Sequence, residues 1–307
     1  LLCPDAWVSA HRCPASVPVA RRSLLSPAVK SSQTLACREG NHYNGAVSEG
    51  DINMEITLQT FLIVCPFVFL AGCVDAIAGG GGLISLPAYF LAGVPPHMAI
   101  ATNKLSSSIG TLTASFRFYK ERFIKLDEAF VGIAVALCGS AIGSNLSLMA
   151  DEDLIRVILL PLLPFVAWHV LRGKGLKERE SEIDLPRRQV YSVVALSSFV
   201  VGMYDGFYGP GTGTFLILLF TAFAGMRVAE ANGTSKLINL ASNTMSLLIF
   251  LINGQVILLL GIVAALCSIL GNYIGSSLVM KNGITIVRPL IIAVLAILFL
   301  KILMELL

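Results

Sequence analysis

Apolar residues run along this chain in long blocks. They form neither the spaced stripe of a helix on a soluble core nor the alternation of a half-buried strand. Residues 237–280 contain no Asp, Glu, Lys or Arg, and residues 56–74, 129–150 and 189–204 are likewise uncharged. Blocks near the length of about 20 apolar residues that spans a bilayer predict transmembrane helices. In hydrocarbon every backbone N–H and C=O needs an internal partner, and the runs are too long and too little alternating for barrel strands. The expected fold class is therefore an all-α polytopic membrane protein. Its apolar segments fall at about 56–78, 82–93, 98–118, 127–149, 153–171, 189–209, 212–225, 230–252, 255–279 and 285–306.

Two of these segments are short. At 1.5 Å per residue, 82–93 and 212–225 reach only about 18 to 21 Å, against a hydrocarbon core of about 30 Å. Each follows a Gly-rich break, Gly79-Gly80-Gly81-Gly82 in one case and Gly209-Pro210-Gly211-Thr212-Gly213 in the other. Gly and Pro disfavour an uninterrupted helix, so half-helices or re-entrant segments are expected there.

The two halves match in order. Gly72 and Asp75 correspond to Gly202 and Asp205 at an offset of about 130 residues. Thr102 and Lys104 correspond to Thr234 and Lys236, Gly143 to Gly275 and Arg156 to Arg288, all at about 132. The expected organisation is a first repeat over 54–172, a polar cytoplasmic linker over 173–188 and a second repeat over 189–307, with about 8 to 10 membrane segments. The linker assignment follows the positive-inside tendency, because residues 172–188 carry six bases and four acids. If the short segments are re-entrant the repeats run parallel; if they cross, the repeats are inverted.

Residues 1–53 differ from the rest, being frequent in Pro, Ser, Arg and Gly, with no signal-peptide core. Met54 stands directly before the first span, so translation is expected to start there, with the tail an upstream artefact or a disordered extension.

Composition agrees with a membrane location: 55% of residues are hydrophobic and 13% charged, against about 25% charged in soluble domains. The net charge of +3 is weak and not gathered into a basic, aromatic-bearing patch, so nucleic acid is not an expected partner. Cys65, Cys73, Cys138 and Cys267 lie inside apolar spans without CxxC spacing, which favours packing over metal or disulfide roles. No cofactor or metal motif is present, and His97 and His169 lack any partner spacing.

The candidate chemistry lies in charges that the membrane makes costly. Lys104 and Lys236 sit early in predicted spans, and a lysine at a helix centre costs about 2.5–3.5 kcal/mol on insertion scales. Each is surrounded by groups able to donate to oxyanion oxygens: Thr102, Asn103, Ser106 and Ser107 beside the first, Thr234, Ser235, Asn239 and Asn243 beside the second. The freed N–H groups of each break, at Gly80, Gly81 and Gly82 and at Gly211 and Gly213, favour negative charge. These residues form a candidate site for a small anion between the repeats. Asp75 and Asp205, just before the breaks, are expected to pair with the lysines, to cap the half-helices or to carry a coupling proton.

The run Gly79-Gly80-Gly81-Gly82 with Pro87, then Ala101-Thr102-Asn103-Lys104-Leu105 and Gly110-Thr111, resembles the TauE/SafE (sulfite exporter, TSUP) membrane permeases. The resemblance covers about residues 54–307. The second half keeps Gly209, Gly211, Gly213, Thr234 and Lys236, with Ser235 in place of Asn103 and Asn243 in place of Thr111. It implies a permease of the plasma membrane that moves sulfite, sulfonates or related small organic anions, and not an enzyme. A passive anion channel and an intramembrane aspartyl protease built on Asp75 and Asp205 are the competing readings.

Overall fold

The computed structural model describes residues 57–150, 185–282 and 285. Among them are eight α-helices and no strand: α1 (Leu58–Ala78), α2 (Gly82–Leu91), α3 (Pro96–Lys120), α4 (Leu126–Met149), α5 (Arg187–Phe207), α6 (Thr212–Phe223), α7 (Val228–Ile252) and α8 (Leu258–Asn282). Each begins and ends within three residues of its predicted segment. The segments 153–171 and 285–306, the matched Arg156 and Arg288, the tail and most of the linker lie outside the described residues.

Five of these helices, α1, α4, α5, α7 and α8, are long and apolar enough to cross a membrane. Helix α3 equals them in length but carries Lys104, Arg117 and Lys120. The short α2 and α6 have 10 and 12 residues. Local sequence sets several of the ends. Gly79 closes α1 in the left-handed region at φ 76°, which Gly adopts without steric cost. Prolines open α3 and α5, where their fixed φ suits a helix start.

The burial pattern is inverted relative to a soluble protein. Large apolar side chains such as Leu62, Leu91, Phe130, Leu196 and Leu266 are exposed, while Lys104, Lys236, Asp205, Asn232 and many Ser and Thr residues are buried. An apolar surface of this extent needs lipid against it, which makes the chain a multi-pass integral membrane protein.

Small residues bring the helices together. Helix α4 packs along α5 and α8 along α1, while α3 and α7 meet each other and pack on α8 and α4 respectively. A Cβ on Gly143 of α4 would stand 2.0 Å from the Met203 carbonyl oxygen of α5. One on Gly275 of α8 would stand 2.4 Å from that of Cys73 in α1. Only glycine lets the two backbones approach so closely.

Candidate functional site

The two Gly-rich breaks touch one another. A Cβ on Gly79 would fall 2.3 Å from the Gly213 carbonyl carbon, and one on Gly82 3.0 Å from the Pro210 Cα. The carboxyl end of α1 consequently faces donors from the second half. The Asp75 carbonyl accepts the Gly79 N–H at 2.7 Å, while those of Ala76 to Gly79 have no successor in the helix and would otherwise go unbonded. Lys236 Nζ donates to the Asp75 carbonyl. Asn232 Nδ2 donates to those of Ala76 and Ile77 at 3.3 and 3.1 Å. Thr214 donates its hydroxyl to Ala78 O at 2.6 Å and its N–H to Gly79 O at 3.3 Å. The break after α5 is held within its own half: Thr212 Oγ1 donates to Gly209 O at 2.7 Å and the Tyr204 hydroxyl to Pro210 O at 2.7 Å.

Both candidate lysines are ion-paired, and the pairs cross between the halves. Lys104 Nζ lies 2.9 Å from Asp205 Oδ1, both side chains 2% exposed. Lys236 Nζ lies 3.0 Å from Asp75 Oδ2, with 0% and 16% exposure. The aspartates differ in their other partners. Thr212 Oγ1 donates to Asp205 Oδ1 at 2.8 Å and Ser242 Oγ to Oδ2 at 2.7 Å. Asp75 takes, besides Lys236, only the Thr111 hydroxyl at 3.4 Å among the described residues.

The remaining predicted residues separate into groups. Asn103, Gly81 and Gly82 join Asp75 around a small cavity whose wall also includes Ser268 and Asn272. Gly211 opens α6 at φ 82°, Gly213 packs on Gly79, and the Gly80 carbonyl accepts the Leu83 N–H at 3.1 Å. Thr102 and Thr234 serve the neighbouring loops: Thr102 Oγ1 accepts the Ile257 N–H and Thr234 Oγ1 the Lys125 N–H, each at 3.1 Å, just ahead of α8 and α4. Ser235 Oγ donates to Asn232 O at 2.8 Å, and Asn239 accepts Asn243 Nδ2 at its backbone oxygen (2.9 Å) and at Oδ1 (3.1 Å).

Sequence reasoning did not single out Thr214, Asn232, Ser242, Ser268 or Asn272. The available signal was a set of polar residues inside largely apolar helices, Ser268 and Asn272 being one helical turn apart on the same face of α8.

Relatives bear on the same stretch of chain. The family model described as Sulfite exporter TauE/SafE matches residues 64–302, which include both lysines, both aspartates and both breaks. The chain is 35% identical over 259 residues to "Probable membrane transporter protein YfcA" of Escherichia coli K12, covering 81% of this chain and 94% of that protein. It is 35% identical over 240 residues to a "Probable membrane transporter protein" of Haemophilus influenzae, covering 78% and 92%. It is 24% identical over 154 residues to "Sulfite exporter TauE/SafE family protein 3" of Arabidopsis thaliana, covering 48% and 32%. No solved structure matches the chain. With the family match running through every element of the crossed ion pairs and with relatives of nearly full length named as membrane transporters, this chain belongs to the sulfite exporter TauE/SafE family.

Proposed function

We propose that this protein is a secondary transporter of the plasma membrane for a small anion, such as sulfite, a sulfonate or another small organic anion. It works by alternating access around a central site where two copies of one helical unit meet. The observation that carries this reading is the crossed pairing of Lys104 with Asp205 and Lys236 with Asp75. Withdrawing such ions from water costs several kcal/mol apiece even after relaxation, so apolar packing alone is no reason to keep them. A lysine already dressed by carboxylate oxygens accepts a substrate's oxyanion oxygens in the same geometry once its carboxylate is drawn away. Because each bridge joins one half to the other, movement of one half against its partner exchanges these contacts.

Parallel local geometry supports the reading of two copies. Helices α1 and α5 have 21 residues each, α3 and α7 25 each. Thr102 and Thr234 make corresponding bonds to loop N–H groups. Left-handed turns recur at Gly79 and Gly211 and at Gly93 and Gly225. Broken helices paired across two repeats are a known setting for a transporter's central site.

The test is radiolabelled sulfite uptake into proteoliposomes holding the full chain, with and without an ion or pH gradient, for wild type and Lys104→Ala. Saturable, gradient-driven uptake that is lost in a still-folded variant supports the proposal. Equal flux in the variant removes Lys104 from the site, and non-saturable flux indifferent to gradients makes the protein a passive channel.

A further inference from the structure

The cavity beside Asp75 lies between α1, α2, α3 and α8 and has a volume of about 20 Å³, room for about one water-sized occupant. Two of its wall atoms lack partners. Asn103 Oδ1 and Asn272 Oδ1 are buried without a hydrogen bond, in residues only 8% and 1% exposed. Asn272 is held with its oxygen free, because its Nδ2 donates to Ser268 O at 3.0 Å. A buried acceptor left unbonded costs about 1–3 kcal/mol, and here two belong to residues that line one cavity together with Asp75.

The second half fills the corresponding position with a hydroxyl. There, Ser242 on α7 donates to Asp205 Oδ2. The residue about 132 positions earlier is Gly110, so α3 has no hydroxyl at that position, and its Thr111 reaches Asp75 Oδ2 only at 3.4 Å. Across the cavity Ser268 of α8 stands where α4 has Ala136, and a Cβ on Gly110 would lie 2.0 Å from Ser268 Oγ. Asp75 thus has one long hydroxyl bond where Asp205 has two short ones, with open oxygen acceptors nearby.

We propose that this cavity is a binding site for one sodium ion, held by the Asp75 carboxylate and the amide oxygens of Asn103 and Asn272, with the hydroxyls of Thr111 and Ser268 beside it. A hard monovalent cation takes an all-oxygen set of this kind. Amide oxygens ligate a metal cation but do not take up a proton, which separates this site from a simple proton-carrying carboxylate. Asp75 and Lys236 together are neutral, so the ion adds one positive charge to a low-dielectric interior, and a bound anion offsets it. Each ion therefore favours the other. That coupling rests on the anion-transport reading; occupancy of the cavity does not.

The experiment is ²²Na⁺ binding to the purified full chain in detergent, in substrate-free buffer, beside thermal melting in NaCl and in choline chloride. Wild type is expected to bind one ion saturably and to melt higher in sodium. Asn272→Ala is expected to weaken binding about 10–100-fold, and Asn272→Asp, which keeps an oxygen, to restore it. Gly110→Ser combined with Ser268→Ala, which copies the surroundings of Asp205, is expected to abolish the sodium effect while melting normally in choline. Absence of saturable binding with identical melting in both salts overturns the proposal and leaves a water in the cavity. Sodium binding without sulfite uptake sustains this inference while the anion reading fails; uptake driven by a pH gradient, without saturable sodium binding, overturns this inference alone.

Discussion

Lys236 and Asp75, 161 residues apart in sequence, meet through two bonds: Nζ lies 3.0 Å from Oδ2 and also donates to the Asp75 main-chain carbonyl. One ammonium thus neutralises a carboxylate and closes the end of the helix that carries it. The lysine is wholly buried, while Asp75 keeps 16% exposure.

The two crossed pairs are expected to differ in what their disruption costs. Lys104→Met strands Asp205 in a site 2% exposed and is expected to lower stability by about 3–5 kcal/mol. Lys236→Met strands Asp75, which is 16% exposed and opens onto the cavity, and is expected to cost less. Lys104→Met with Asp205→Leu should recover most of the loss, because no charge is then left unpaired. Denaturant or thermal unfolding of the four proteins in detergent checks the order; a double variant worse than the single removes the account.

Thr214 supplies the bonds to the last two carbonyls at the end of α1, through its hydroxyl and its N–H. Thr214→Val removes only the hydroxyl and leaves Ala78 O unbonded in a buried place, an expected loss of about 1–3 kcal/mol. Thr214→Ser keeps the bond and should unfold close to wild type. A melting comparison of the two variants decides the point.

Glycines at helix crossings should be less tolerant than those in open loops. Gly143→Ala places a methyl 2.0 Å from the Met203 carbonyl oxygen, a backbone atom that cannot swing aside, with an expected cost of about 1–3 kcal/mol or more. Gly93→Ala meets nothing within 4 Å and bears only the strain of φ +79°, of order 1 kcal/mol. Melting temperatures that fall in the opposite order would contradict the packing described.

Thr102 and Thr234 hold loop N–H groups ahead of α8 and α4. Thr102→Val and Thr234→Val are therefore expected to lower melting temperature while leaving the KM for the transported anion unchanged. A raised KM with normal melting would instead place these hydroxyls on the substrate.

The helices were legible because a bilayer demands long apolar segments, and the ends of α1 and α6 because Gly79 and Gly211 stand in the left-handed region. Lys104, Lys236, Asp75 and Asp205 were legible because charge inside such segments is costly and so stands out. Asn272 and Thr214 were not, since a single Asn or Thr in an apolar helix has no charge to betray it. Thr102 and Thr234 looked like donors for a ligand because they adjoin the lysines in sequence. Neighbouring positions on a helix point about 100° apart, and these two point at loops.

The amino-acid order alone therefore determined the membrane class, the broken helices, the matched halves as an expectation and the set of ionisable residues that must find partners. Which partner each would take was decided by the tertiary structure. Lys104 has Asp75 on its own half, yet it bonds Asp205, and Lys236 bonds Asp75. The physical reason is that the contact between the breaks at Gly79 and Gly213 brings donors of one half against the unfinished helix end of the other. Ion pairs and hydrogen bonds act over a few ångströms of space, and a sequence records only distance along the chain.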